Sequence, residues 1–160
     1  MTNKDEKIIE VIRKDFYEKI KQEILYNETG LQFALYKFLE DKGYYVQAEV
    51  KFDKKTCDIA VYKKYENLKE NENLKAVIEI KFFRKRGHDN YTKRGYKEDC
   101  KKLKKIKTQH NGAECIFFAV CQEDKIDYCK GKTGNDFQKL TDKPFGILLE
   151  DSDDFKNIIL

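Results

Sequence analysis

Three charged residues sit in two short runs that are otherwise apolar. Thr56-Cys57-Asp58-Ile59-Ala60-Val61-Tyr62 carries Asp58, and Lys75-Ala76-Val77-Ile78-Glu79-Ile80-Lys81-Phe82-Phe83 carries Glu79 and Lys81. Charge placed among β-branched and aromatic side chains costs free energy unless something compensates it. Two carboxylates and an ammonium would be compensated together by a divalent metal ion and a phosphate. The chemistry therefore depends on whether the three groups meet in space.

Strand geometry brings two of them close. Side chains alternate faces along a strand, so Glu79 and Lys81 share a side opposite Ile78, Ile80 and Phe82. In the first run the alternation groups Asp58 with Ala60 and Tyr62, opposite Cys57, Ile59 and Val61. The polar stretch from Lys63 to Asn73 reads as a long hairpin connection, and antiparallel pairing would set Asp58 beside Glu79. The same pattern also suits a solvated sheet face, with an aspartate at a strand start and an exposed Glu–Lys pair, because one-sided antiparallel sheets are common.

Composition limits the classes open to the chain. Its 160 residues suit a single domain, 1–160, with a substantial core. The apolar fraction of 40% and charged fraction of 39% describe a globular, heavily solvated protein. No run of apolar residues is long enough to span a membrane. Residues 1–6 are charged and lack the apolar stretch of a secretory signal. The five cysteines, Cys57, Cys100, Cys115, Cys121 and Cys129, form an odd set without CxxC spacing. Two of them fall in the apolar run Cys115 to Cys121, as expected of reduced thiols in a cytoplasmic protein. His88 and His110 have no cysteine at ligand spacing, which excludes a zinc site.

The net charge of +4 is modest, but its distribution is uneven. Of the four arginines, Arg84, Arg86 and Arg94 cluster while Arg13 stands apart. Lys93, Lys97, Lys101, Lys102 and Lys104 extend the cluster, with Tyr91 and Tyr96 interleaved. A basic stripe with aromatics, beginning just after Lys81, is the footprint expected for phosphate contact. A lysine-rich helix that is merely solvated would look the same in isolation.

The elements that must position these groups follow from periodicity. Residues 4–25 place Ile8, Ile9, Ile12, Phe16, Ile20 and Ile24 at helical spacing. Thr29 with Gln32 has the form of a capping box, opening a second helix with Leu31, Ala34, Leu35, Phe38 and Leu39 on one face. Gly43 is a good stop for it. A strand over Tyr44 to Phe52 contains Glu49, and the two charged runs follow. A basic helix over 91–109 turns Tyr96, Cys100, Leu103 and Ile106 or Lys107 inward. Cys115 to Cys121 is the most apolar strand and reads as central. A polar segment containing Gly131 and Gly134 leads to a last strand near Phe145 to Leu149. The order is αα-βββ-α-β-β, an α/β fold.

This arrangement resembles the PD-(D/E)XK nuclease superfamily, the restriction-endonuclease-like fold, over Glu28 to Gln122. The resemblance rests on Asp58 early in the second core strand, Glu79-Ile80-Lys81 in the third 21 positions later, and the basic helix with Glu98-Asp99-Cys100-Lys101-Lys102-Leu103 after them. Cys57 stands where the family usually has proline. Glu28 and Gln32 match a Glu-x-x-x-Gln pattern on the preceding helix, and Glu49 matches a glutamate common at the first strand.

The resemblance implies a three-layer core over 28–122, with a mixed sheet of about five strands flanked by helices, and a helical extension over 1–26. It also implies a Mg²⁺-dependent nuclease, with Mn²⁺ as a substitute, acting on nucleic acid and most readily on DNA. Asp58 and Glu79 would bind the metal with the Ile80 carbonyl as a third donor, and Lys81 would hold the attacking water. Glu28 would serve a second metal or a metal-bound water, and Gln32 would orient one of these groups. Arg84, Arg86, Lys93, Arg94, Lys97, Lys101 and Lys104 would contact phosphates. Cutting both strands of a duplex would call for a homodimer or paired monomers, with the first helix a candidate contact or simply a cover for the sheet. The alternatives are a non-catalytic nucleic-acid-binding or protein-interaction module of the same fold, and an RNA-cleaving nuclease.

Overall fold

The computed structural model describes residues 5–22, 27–63, 73–83 and 93–155. It is an α/β structure around a six-stranded mixed sheet ordered β1-β2-β3-β4-β6-β5. The strands are β1 (Tyr45–Phe52), β2 (Lys55–Tyr62), β3 (Leu74–Phe83), β4 (Glu114–Gln122), β5 (Gln138–Lys139) and β6 (Phe145–Asp151). The helices are α1 (Ile8–Val11), α2 (Tyr17–Gln22), α3 (Glu28–Asp41), α4 (Lys93–Gln109) and α5 (Ile126–Thr133). All strand pairs are antiparallel except β3 with β4, whose parallel pairing requires the α4 crossover between them. The most apolar strand, β4, lies inside the sheet between β3 and β6.

Two apolar clusters face opposite sides of the sheet. One joins Ile8, Ile12, Phe16, Leu31, Leu35 and Leu39 to Ile59, Ile78, Ile80 and Phe118. The other joins Tyr96, Cys100, Leu103 and Ile106 of α4 to Val77, Cys115, Phe117 and Ala119. The N-terminal helical stripe is thus covered by the chain's own sheet. A π-helical turn, Ile12–Phe16, separates α1 from α2. Glu114 on β4 accepts hydrogen bonds from the Ile8 and Ile9 amides at 2.7 and 3.1 Å, satisfying donors that a helix start leaves open. All five cysteines are free and buried.

Several expectations need correction. The sheet has six strands instead of five, because the polar segment after β4 contributes the two-residue β5. That segment also holds α5, whose inward face is short, with Ile126 partly buried and Cys129 and Thr133 buried, and therefore gives little periodicity. The cap of α3 is Asn27, whose side chain accepts from the Gly30 amide at 2.7 Å, so Thr29 lies within the first turn. Asn27→Ala should cost about 1 kcal/mol in urea unfolding. Gly43 follows α3 with φ of 88°, as a helix stop requires.

The alternation expected along β2 also breaks. Cys57 packs with Ala60 and Tyr62 on the α4 side, while Ile59 and Val61 face α3. The facing side changes in β1 as well, with Val46 on the α3 side and Val50 and Phe52 on the α4 side. Both changes fall at Glu49 and Asp58, the one position missing from an otherwise continuous register. Glu49 has φ of 54°, an unusual backbone state that a period-two pattern does not foresee.

Candidate active site at a fork between two strands

The β2–β3 pairing runs from Tyr62–Leu74 to Ile59–Ile78 and goes no further. Asp58 and Glu79 are the next residues on either side of that last pair. Beyond it β3 continues alongside β4, with Glu79 opposite Phe117 and Lys81 opposite Ala119. Backbone donors on the β2 side of β3 then need other partners. Asp58 Oδ2 accepts from the Ile80 amide at 2.6 Å, and Glu28 Oε2 accepts from the Phe82 amide at 3.3 Å. Two carboxylates, one from β2 and one from the start of α3, thereby converge on the edge of β3.

Lysines cross the same fork. Lys81 Nζ lies 3.8 Å from Glu28 and 4.0 Å from Asp99. Lys102, reaching in from α4, lies 2.7 Å from Glu79 Oε2 and 3.8 Å from Asp99, and donates to the Thr56 carbonyl at 3.0 Å. The Glu79 and Lys102 side chains are only 6% and 11% exposed. Gln32 Nε2 donates to Glu49 Oε1 at 2.9 Å and to the Asp58 carbonyl at 3.0 Å. Its role is to tie α3 to the irregular position in β1 and β2.

The electrostatics follow from burial and crowding. Burial pushes the Glu79 carboxyl up to about 7, helped by repulsion from Asp58 and opposed by Lys102. Asp58 is raised by burial, against the pull of the Ile80 amide and Lys81. Glu28 is raised by burial too, with Lys81 opposing. Burial is the largest influence on Lys102 and lowers it, but the charge and hydrogen bond of Glu79 together with Cys57 and Asp99 outweigh it and hold the lysine above its usual range. Lys102→Ala should therefore destabilise the fold by about 3 kcal/mol at pH 8, by leaving a buried carboxylate without its cation. The loss should shrink at pH 5.5, where Glu79 holds a proton. Urea unfolding at the two pH values measures the difference.

Of the residues singled out from the sequence, Glu28, Gln32, Glu49, Asp58, Glu79 and Lys81 meet at the fork. The Ile80 amide is engaged by Asp58. Lys93, Arg94, Lys97 and Lys101 lie exposed on α4, and Lys104 is half-buried. Arg84 and Arg86 lie outside the described residues. Asp99 and Lys102, which the sequence shows only as members of a basic helix, also belong to the cluster. Their signal was spacing, since each adjoins a buried residue of the inward stripe, Cys100 or Leu103.

A divalent ion would have to suit this donor set. Among the described residues, no group of three or more His, Cys, Asp or Glu is placed to hold a metal ion. Mg²⁺ does not demand one, since it commonly takes one or two carboxylates and keeps water and phosphate oxygens for the rest. Asp58 and Glu79 each engage one oxygen, leaving Oδ1 and Oε1 without a hydrogen bond among the described residues. A buried carboxylate and a half-buried one, mutually repelling and with an oxygen apiece to spare, fit such an ion.

No protein-family model, curated protein or solved structure matched the chain.

Proposed function

We propose that the protein is a metal-dependent nuclease that hydrolyses phosphodiester bonds, with DNA the favoured substrate, on a restriction-endonuclease-like core. The observation that carries this reading is the convergence of Asp58, Glu79 and Lys81 where β2 and β3 part. The element order supports it, with α3, three antiparallel strands, a basic α4 and a parallel β4.

Asp58 and Glu79 would hold Mg²⁺ or Mn²⁺, with the Ile80 carbonyl as a further donor. The ion, when bound, supplies positive charge for the attacking water and the leaving oxygen. Lys81 faces the carboxylates of Glu28 and Asp99, which suits it to act as a cation that positions water and offsets developing negative charge. Glu28 holds Lys81 in place while capping the Phe82 amide. Gln32 fixes the backbone of Asp58. The exposed Lys93, Arg94, Lys97 and Lys101 would contact phosphates flanking the scissile one. An RNA substrate would use the same groups, and cutting both strands of a duplex would need two sites.

A second reading has its own support. Asp58 and Glu28 already cap β3 amides, and Lys102 already neutralises Glu79, as they would in a nucleic-acid-binding or protein-interaction module that does not cut. Calorimetric titration of the protein alone with Mn²⁺ and Mg²⁺ separates the two. The nuclease reading predicts metal binding that Asp58→Asn abolishes. No binding of either ion would favour the non-catalytic module.

A further inference from the structure

Beside the fork, a cleft of about 920 Å³ opens between the β1–β2 turn and α4. Phe52 and Ile106 supply its apolar lining, Lys54 and Lys55 come from the turn, and Lys101 and Lys105 come from the helix. The two acids that line it, Asp53 and Glu98, both have partners. Asp53 accepts from Gln109 Nε2 at 3.1 Å, and Glu98 pairs with Lys101 at 3.8 Å. The walls are joined across the cleft by the Gln109–Asp53 bond, by Lys102 on the Thr56 carbonyl, and by an edge-on contact of the Phe52 and His110 rings at 5.6 Å. Lys102 lines the cleft and also holds Glu79, so the cleft adjoins the candidate active site directly.

We propose that this cleft binds a single-stranded stretch of the polynucleotide next to the scissile phosphate, an inference that rests on the nuclease reading. Its charge and shape suit that occupant. Of the five lysines, Lys101 pairs with Glu98 and Lys102 with Glu79, and Lys54, Lys55 and Lys105 outnumber the charge that Asp53 keeps, which leaves the rim positive for a phosphate backbone. An apolar lining with an aromatic ring has no use for the sugar-phosphate exterior of a duplex, where base faces are stacked away. It can receive an unstacked base, and base–aromatic contact combined with a basic groove is how single strands are held without sequence preference. The substrate class that follows is DNA or RNA with a single-stranded segment abutting the cut.

The test is fluorescence anisotropy in EDTA, where no metal-dependent cutting occurs. The probes are a labelled homothymidine strand and a labelled duplex of equal length, each titrated with salt. The variants are Lys54→Ala/Lys55→Ala/Lys105→Ala, which changes only exposed side chains, and Phe52→Leu, which keeps an apolar group but removes the ring. Circular dichroism checks that both fold. The single strand should bind more tightly than the duplex. The triple variant should weaken it by about tenfold and flatten its log–log salt slope by about 2, at about 0.7 for each phosphate that a lysine no longer neutralises. Phe52→Leu should weaken the single strand and leave the duplex unchanged.

Equal binding of strand and duplex would overturn the proposal. So would a triple variant with unchanged affinity and slope, or one that weakens both probes alike. Because no cleavage is read, the two levels separate. A protein that passes but never cuts keeps its cleft and loses the nuclease reading, whereas one that cuts but fails keeps the nuclease and loses the cleft.

Discussion

Lys81→Ala is expected to lower the rate of metal-dependent phosphodiester cleavage by about 10²- to 10⁴-fold while leaving Mn²⁺ affinity within a few-fold of wild type. The separation follows from chemistry. Lys81 pairs with Glu28 and Asp99, and an ammonium has no lone pair to give a metal, so removing it takes charge from the reaction and not a donor from the metal. Asp58→Asn should behave differently, losing cleavage and metal affinity together because it weakens the donor pair itself. Single-turnover rates and calorimetric titrations on the same preparations distinguish the two patterns. Equal cleavage by wild type and Lys81→Ala would remove Lys81 from the chemistry and leave it as part of an ion-pair network.

A second large effect is expected with pH. Glu79 is raised in the folded state to about 7 from an ordinary value of 4.5. The folded protein therefore holds a proton that the unfolded chain releases between those values. Stability should fall as pH rises through this window, by about 3 kcal/mol from Glu79 at about 1.4 kcal/mol per unit. Asp58 is shifted in the same direction and adds to the trend. Metal binding reverses it, since a cation between the two carboxylates replaces their repulsion with attraction. Mn²⁺ at a hundred times its dissociation constant should return about 2.7 kcal/mol. Below pH 7 the ion must displace the Glu79 proton, so affinity should drop by about tenfold per unit. Thermal melts at pH 5.5 and 8, with and without Mn²⁺, read all of this. Asp58→Asn should reduce the pH dependence without removing it, because burial is the larger cause of the Glu79 shift, and should show no recovery with metal. A wild type whose melting point ignores Mn²⁺ at pH 8 would contradict the account.

Much of the fold was legible because it depends on local periodicity. The stripes in α3 and α4, the apolar β4 and the shared face of Glu79 and Lys81 all repeat at the spacing their elements require. Other features arise from contacts that no window of sequence contains. Asn27 and Thr29 are both good cap residues, and the structure uses Asn27, with Leu31 and Leu35 of the same helix buried against the sheet. In α5 the inward residues are Ile126, Cys129 and Thr133, of which only the first is a large apolar side chain, so its helical repeat is hidden in a polar stretch. The change of face at Glu49 and Asp58 breaks the period of two just where the site lies, and it is absent from any alternation rule. Lys102 was visible as charge. Its insertion between Glu79 and Thr56 depends on how α4 crosses from β3 to β4, a long-range property. The candidate site was thus readable in its residue types and only partly in its geometry.

Incubating wild type and Asp58→Asn with plasmid, linear duplex, single-stranded DNA and RNA, in Mg²⁺, in Mn²⁺ and in EDTA, shows whether the protein is a metal-dependent nuclease. Wild type should cut at least one of these polynucleotides in metal, EDTA should stop it, and Asp58→Asn should be inactive. Intact substrates in every wild-type lane, or cutting that persists in EDTA or in Asp58→Asn, would contradict the nuclease reading.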